Sequence, residues 1–262
     1  MIARILTAYQ IEIAKAIRQR FTYVGPGLLL IAVLLAAYIK RDESPGNGYT
    51  FIAYITAATL NLPGLLLLLA FCSALIATEV HSGTARFIFV RSLRRSEFVI
   101  AKLLLGFTYA LALMAVVAIA SWVVASLRGG LIGVSYGGEL LFTGQEMLTS
   151  YLIGLALAVL PLAGAVAFAI MISAWVRTSG AAITVAVGVW LVMDMLKYGL
   201  GIQRYIFSTY WDVPWAVFEG RSLGLNPEWM PNAAWCAATS IVSCIVFTVI
   251  ACIGMQRRNL HS

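Results

Sequence analysis

Few side chains in this 262-residue chain are suited to chemistry: Lys and Arg number 18, Asp and Glu 11, and His 2. Glu139 and Glu146 could suggest an acid–base pair, but they lie in a Gly-rich stretch with no His or nucleophile pattern beside them. Catalysis is not expected there. Asp194 and Lys197 stand one helical turn apart within an apolar run. Ionisable groups inside lipid mark proton or sodium pathways, yet near the end of a span this spacing reads as a snorkelling ion pair. Cys72, Cys236, Cys244 and Cys252 all lie in apolar runs without a CxxC pair. They predict small buried residues, with no disulfide framework and no metal site. No G-x-x-x-x-G-K-[ST] loop occurs, so the chain has no phosphate cradle of that kind for a nucleotide. No catalytic residue and no bound cofactor is expected.

The elements that hold these residues are apolar. The chain is 61% apolar and 11% charged, with a mean hydropathy of +0.92. A water-soluble domain is about 45–50% apolar and about 25% charged, and roughly 260 residues is already the size at which soluble cores stop growing. Lipid must therefore be the main solvent, which excludes a water-soluble enzyme, a nucleic-acid-binding domain and a disordered chain.

A bilayer core of about 30 Å needs about 20 apolar residues in helical form. Six stretches qualify, at residues 23–39, 51–77, 99–127, 149–176, 180–199 and 233–254. The fold class expected is all-α: one polytopic domain over residues 1–262 with six transmembrane helices. Breaks are read at Lys40-Arg41-Asp42-Glu43-Ser44-Pro45-Gly46, around Arg91, at Arg128-Gly129-Gly130, and at Arg177-Thr178-Ser179-Gly180. Asn61-Leu62-Pro63-Gly64 predicts a kink or split in the second span. Gly154 with Ala158, and Ala165 with Ala169, are spaced for close helix packing, read as internal rather than as a dimer seam.

Residues 1–22 form a different kind of helix. Ile2, Ile5, Leu6, Tyr9, Ile13 and Ile17 share one face, while Arg4, Lys15 and Arg18 share the other. This predicts an interfacial amphipathic helix anchored by Lys15 and Arg18. A cleaved signal peptide would place its site at Ala36-Ala37, a poor match that the long basic lead argues against. With the N-terminus inside, the cytoplasmic side takes most Lys and Arg but only Glu12, Glu79 and Glu97 among the acids. The positive-inside rule therefore predicts both termini to be cytoplasmic.

The loop at 78–98 is basic, but Phe87, Ile88, Phe89 and Val90 make its middle too apolar for a free linker. A short helix between Gly83 and Ser92 would offer arginines to a partner's carboxylates. Glu79-x-x-x-Gly83-Thr84, then Arg95, then Lys102 seven residues later is similar to the signature of ABC-2-type permeases, the membrane subunits of ATP-binding-cassette exporters. Two departures stand out: Ser92 replaces the usual proline, and His81 replaces a second acid. The resemblance covers the whole layout but only about 25 residues of motif.

That resemblance implies a multi-pass subunit of a bacterial cytoplasmic membrane, paired with a second permease subunit as a homodimer or heterodimer. A separate cytoplasmic ATPase, which holds ATP and Mg, would dock on the loop after span two and on the lead helix. Glu79, Gly83, Thr84, Arg86, Arg91, Arg94 and Arg95 would form the coupling interface. Gly83 would permit a turn that a Cβ hinders, and Lys102 would anchor span three at the headgroups. The cargo implied is a peptide, a drug-like compound or a lipid.

Residues 200–232 form an outer loop rich in aromatics and broken by Pro214, Pro227 and Pro231. Short interfacial helices are expected there, and by the resemblance Tyr210, Trp211, Trp215 and Phe218 are candidates for an outer gate. An aromatic belt that anchors the fold is an equal alternative. An ATP-independent channel or carrier would need a polar pore stripe, which the spans lack. A membrane enzyme would need paired His or carboxylates near a membrane face, and a membrane scaffold is the remaining reading.

Overall fold

The computed structural model describes residues 2–39, 48–84, 93–128, 130–136 and 139–258. Helix α1 (Ile2–Arg18) leads into α2 (Arg20–Ile39) through Gln19. The second span is built from α3 (Gly48–Thr59), a π-helical turn at Leu60–Gly64, and α4 (Leu65–His81). Helix α5 (Arg95–Arg128) precedes a small antiparallel ribbon of β1 (Val134–Tyr136) and β2 (Glu139–Phe142). Helices α6 (Gly144–Trp175) and α7 (Ser179–Gly199) come next. Two 3₁₀ turns, Gln203–Tyr205 and Phe207–Trp211, lead to α8 (Val213–Ser222), and α9 (Asn232–Arg257) completes the described chain.

Among the described residues, six helical spans are long and apolar enough to cross a membrane: α2, α3 with α4, α5, α6, α7 and α9. The protein is an all-α polytopic membrane protein. Every expected span is present, and most extend further than hydropathy alone indicates. The second and third each run 34 residues, about 51 Å at 1.5 Å per residue against a hydrocarbon core of about 30 Å. Apolarity marks where lipid ends, whereas a helix continues until something caps it. Thr143 does so for α6: its hydroxyl accepts from the Glu146 N–H while the Glu146 carboxylate accepts from the Thr143 N–H. The lead helix stops at Arg18, so the first span begins at Arg20.

The predicted kink is the π turn. Pro63 has no N–H for an α-type bond, and a one-residue widening of the helix absorbs the loss. The reversal after span four is as tight as expected, with only Val176, Arg177 and Thr178 between α6 and α7. The ribbon at 134–142 is an addition to the expected outer loop. The break at 40–46, the residues around Arg91 and Gly129 lie outside the described residues.

Helix α6 is the hub, packed along α9 and against α4, α5 and α8. Ala165 and Ala169 are fully buried and Gly154 approaches Pro214 and Trp229, so this small-residue spacing serves internal packing. At Gly106 a Cβ would lie 2.8 Å from Val166 Cγ1 and 3.0 Å from Cys72 Sγ. Spans two, three and four meet there at a distance that only glycine allows. Phe168, Trp190, Phe207 and Phe247 interlock edge to face beside α6. The outward faces of α2, α7 and α9 expose leucine, isoleucine and valine, including Leu34, Val192 and Ile245, the inverse of a soluble fold.

Two ends result. One, here the terminal end, gathers α1, the end of α4, the start of α5, the α6–α7 turn and the end of α9. The other carries the ribbon and residues 200–231. At that end the Tyr49 hydroxyl donates to the Gly144 carbonyl at 2.8 Å and Thr50 donates to the Ser222 carbonyl at 3.2 Å.

Candidate functional site at the terminal end

The motif Glu79-x-x-x-Gly83-Thr84 is a helix stop. Helix α4 ends at His81, and Gly83 takes a left-handed φ of +71° that a side chain disfavours. The chain then turns back. The Ser82 N–H donates to the Thr78 carbonyl at 3.0 Å, and the Thr84 hydroxyl donates to the Glu79 carbonyl at 3.2 Å. Thr84 thus satisfies a carbonyl that the ending helix leaves open. The spacing between acid, glycine and threonine follows from this turn.

Its start places the Glu79 side chain in an ionic junction of four residues. Lys102 on α5 donates to Glu79 Oε1 at 2.7 Å and to Glu12 Oε2 on α1. Lys15 donates to Glu12 Oε1 at 2.8 Å and to Glu79 Oε1 at 3.2 Å. Two carboxylates and two ammonium groups alternate, so the charges cancel within the cluster. Lys102 is 2% exposed and Glu12 5%, whereas the Lys15 side chain is 41% exposed. A cation this deep is tolerated only because both neighbours are anions that also accept its hydrogen bonds.

The electrostatics follow the geometry. Burial alone would raise the Glu12 carboxyl, but Lys102 and Lys15 hold it below its ordinary value. Burial would lower Lys15, but Glu12 and Glu79 hold it above its ordinary value. Beside the junction is a cavity of about 370 Å³ bounded by Gln19, Arg20, Thr78 and the four cluster residues.

Several site expectations change here. Lys102 was expected at the headgroups, but it is enclosed, because α1 lies against α5 and supplies a carboxylate. A second contact, Tyr9 hydroxyl to Thr108 hydroxyl at 2.5 Å, shows the two helices running in opposite directions. The lead helix is therefore docked on a span by its acid-bearing side, while Leu6, Ile11 and Ile17 stay exposed. Lys15 belongs to the junction, and Arg18 remains exposed. Glu12 was not foreseen. Its signal in the sequence was being the single acid on a lead helix whose other charges are all basic.

Arg95 has an internal task as well. Its guanidinium donates to the carbonyls of Met255, Gln256 and Arg258 at 2.6–3.0 Å, closing the end of α9. Arg258 in turn donates to the carbonyls of Ala174 and Val176, closing the end of α6. Of the residues expected to face a partner, Thr84 and Arg94 are exposed. Arg86, Arg91 and the expected short helix before Ser92 lie outside the described residues.

At the far end Trp211 and Trp215 line one small pocket with Leu60 and Pro161, while Phe218 packs on Tyr151 and the Tyr210 hydroxyl donates to the Arg204 carbonyl. Tyr210, Trp211, Trp215 and Phe218 are all buried, on the second 3₁₀ turn and α8. Short helices in this loop were expected and are present. Asp194 and Lys197 form the expected ion pair, but Lys197 is only 1% exposed, buried beneath the loop rather than extended to the surface.

Against known proteins, residues 19–261 match the family described as "Protein of unknown function (DUF2705)". No curated protein matches the chain.

Proposed function

The chain belongs to the DUF2705 family, and for it we propose the role of membrane subunit in an ATP-driven exporter. A separate ATPase on the terminal side would supply the work, and a second permease subunit would complete the pathway. The cargo class is a peptide, a drug-like compound or a lipid. In this reading both termini are cytoplasmic.

One observation carries the proposal. The turn at Glu79–Thr84, the lead helix and the third span are fastened to one another through the junction of Glu12, Lys15, Glu79 and Lys102. A force applied to the loop between Gly83 and Arg94 would act on two spans and on α1 together, as an externally driven conduit requires. Catalytic groups are not needed for this. Glu79 and Arg95 act inside the subunit, as a fastening and as a helix cap. Thr84 and Arg94 remain as the exposed residues that a partner would meet.

The test is purification of the tagged chain from its native membrane in mild detergent. Vanadate-sensitive ATP hydrolysis should co-elute at fixed stoichiometry, and Arg94→Glu should lose it while the subunit stays folded. Solute flux from the chain reconstituted alone, with no nucleotide hydrolysis, would overturn the proposal.

A further inference from the structure

At the opposite end lies a second cavity, of about 230 Å³, between the π turn with the start of α4 and the later turns of α7. The 3₁₀ turn Phe207–Trp211 roofs it. Leu62, Leu66, Val187 and Leu191 form an apolar wall. Leu62 and Leu191 are both exposed on the outer surface, so the cavity opens sideways toward lipid. Its roof and rim carry Asn61, Asp194, Ser208, Trp211 and Asp212.

Several of these polar groups are not satisfied by the protein. Ser208 is 1% exposed and Trp211 7%, yet Ser208 Oγ and Trp211 Nε1 have no hydrogen-bond partner among the described residues. Asn61 Oδ1 lacks one too. Buried polar atoms in native folds are nearly always paired, so the two oxygens at this cavity, Ser208 Oγ and Asn61 Oδ1, point to a hydrogen-bond donor that enters it. Charge identifies what enters. Asp194 holds Lys197, whereas Asp212 has no ion pair among the described residues, leaving an excess of one negative charge. Trp190 and Trp211 add aromatic rings, which attract cations. Burial also holds the Asp212 carboxyl above its ordinary value despite the nearby Lys197, the condition that a bound cation would relieve.

We propose that this cavity binds an alkylammonium group, the cationic head of an amphiphile whose chain lies along Leu62, Leu66 and Leu191. Asp212 and Asp194 face the head, and Asn61 and Ser208 supply oxygens around it. An anionic head would meet two carboxylates. A bare metal ion would gain nothing from the leucine wall. The site stands whether or not an ATPase works with this chain.

The experiment uses the full chain in a neutral maltoside detergent, with two nitroxide-bearing amphiphiles of equal chain length. One is a dimethylalkylammonium and the other an alkyl sulfate, both read by quenching of tryptophan fluorescence. The ammonium probe should reach half-quenching at a concentration about tenfold or more below the sulfate, since a charge reversal beside an unscreened carboxylate is a large effect. Trp211→Phe should shrink the amplitude. Asp194→Asn with Asp212→Asn should erase the preference, and Lys197→Met should tighten ammonium binding about threefold or more by removing the competing cation. Tetramethylammonium, which lacks a chain, should displace the ammonium probe only at far higher concentration; displacement at equal concentration would show that the leucine wall contributes nothing and would overturn the amphiphile assignment. Equal quenching by the two probes, or a preference that survives the double substitution, overturns the proposal. Should the double variant not fold, unchanged ammonium affinity in Lys197→Met does the same.

Discussion

The two ends of the molecule handle buried charge in opposite ways. At the terminal end Glu12, Lys15, Glu79 and Lys102 neutralise one another, and of the four carboxylate oxygens only Glu79 Oε2 lacks a hydrogen-bond partner among the described residues. At the other end Asp194, Lys197 and Asp212 leave a charge over, and the cavity around them keeps idle hydroxyl, indole and amide atoms. A closed cluster holds helices together. An open one costs stability unless another molecule completes it. The same residue types thus serve as a fastening in one place and a recognition surface in the other, and what separates them is how fully the protein answers its own polar groups.

The largest effect expected from this contrast is at Lys102. Lys102→Ala leaves the Glu12 and Glu79 carboxylates with only the half-exposed Lys15 between them and should cost about 3 kcal/mol, read as thermal unfolding in detergent. Lys197→Met removes the other deeply buried lysine, yet the Asp194 side chain is half-exposed and regains water, so stability should change by less than about 1 kcal/mol. Equal losses at the two lysines would break the comparison. Gly83→Ala should cost about 1–2 kcal/mol by forcing a side chain into left-handed backbone. Thr143→Ala, which removes the α6 cap, should cost about 1 kcal/mol.

The pH response sharpens the contrast. Glu12 is held below its ordinary 4.5, so its contribution is present above that value and is lost as pH falls through the lower folded value. Lys15 is held above its ordinary 10.5, so its contribution is present below that value and is lost as pH rises beyond it. The junction should be intact across the neutral range and weaken at both extremes. Asp212 runs the other way: its carboxyl is raised, so acidification through its folded value relieves the site. Glu12→Gln should therefore reduce the acid sensitivity of unfolding, and Asp212→Asn should increase it. Melting curves between pH 3 and 7 would check both.

Much of the fold was legible because apolar runs of membrane length have few alternatives in lipid. The positions of the spans, the kink at Pro63 and the reversal after Trp175 all follow from local chemistry. The ends of α4, α5 and α6 were less legible, since hydropathy stops where polar residues begin and caps do not. The Thr143-x-x-Glu146 pattern was a readable signal for one of them. The junction was not legible. Glu12 and Lys102 lie 90 positions apart, and nothing local says that a surface-type helix will turn its only acid toward a span. A lysine at the edge of an apolar run reads as snorkelling until its partner is known. The burial of the gate candidates was not legible for a related reason, because aromatic residues at a membrane edge have the same composition whether they line an opening or plug it.

The arginine relay from residue 95 to 258 has a mechanical consequence. Arg95 grips the tail of α9, and Arg258 on that tail grips the tail of α6. The starts and tails of three helices are thereby tied together at one rim by side-chain-to-carbonyl hydrogen bonds. Loss of the one guanidinium at residue 95 would therefore loosen the tail of α9 directly and, through Arg258 on that tail, the tail of α6 as well.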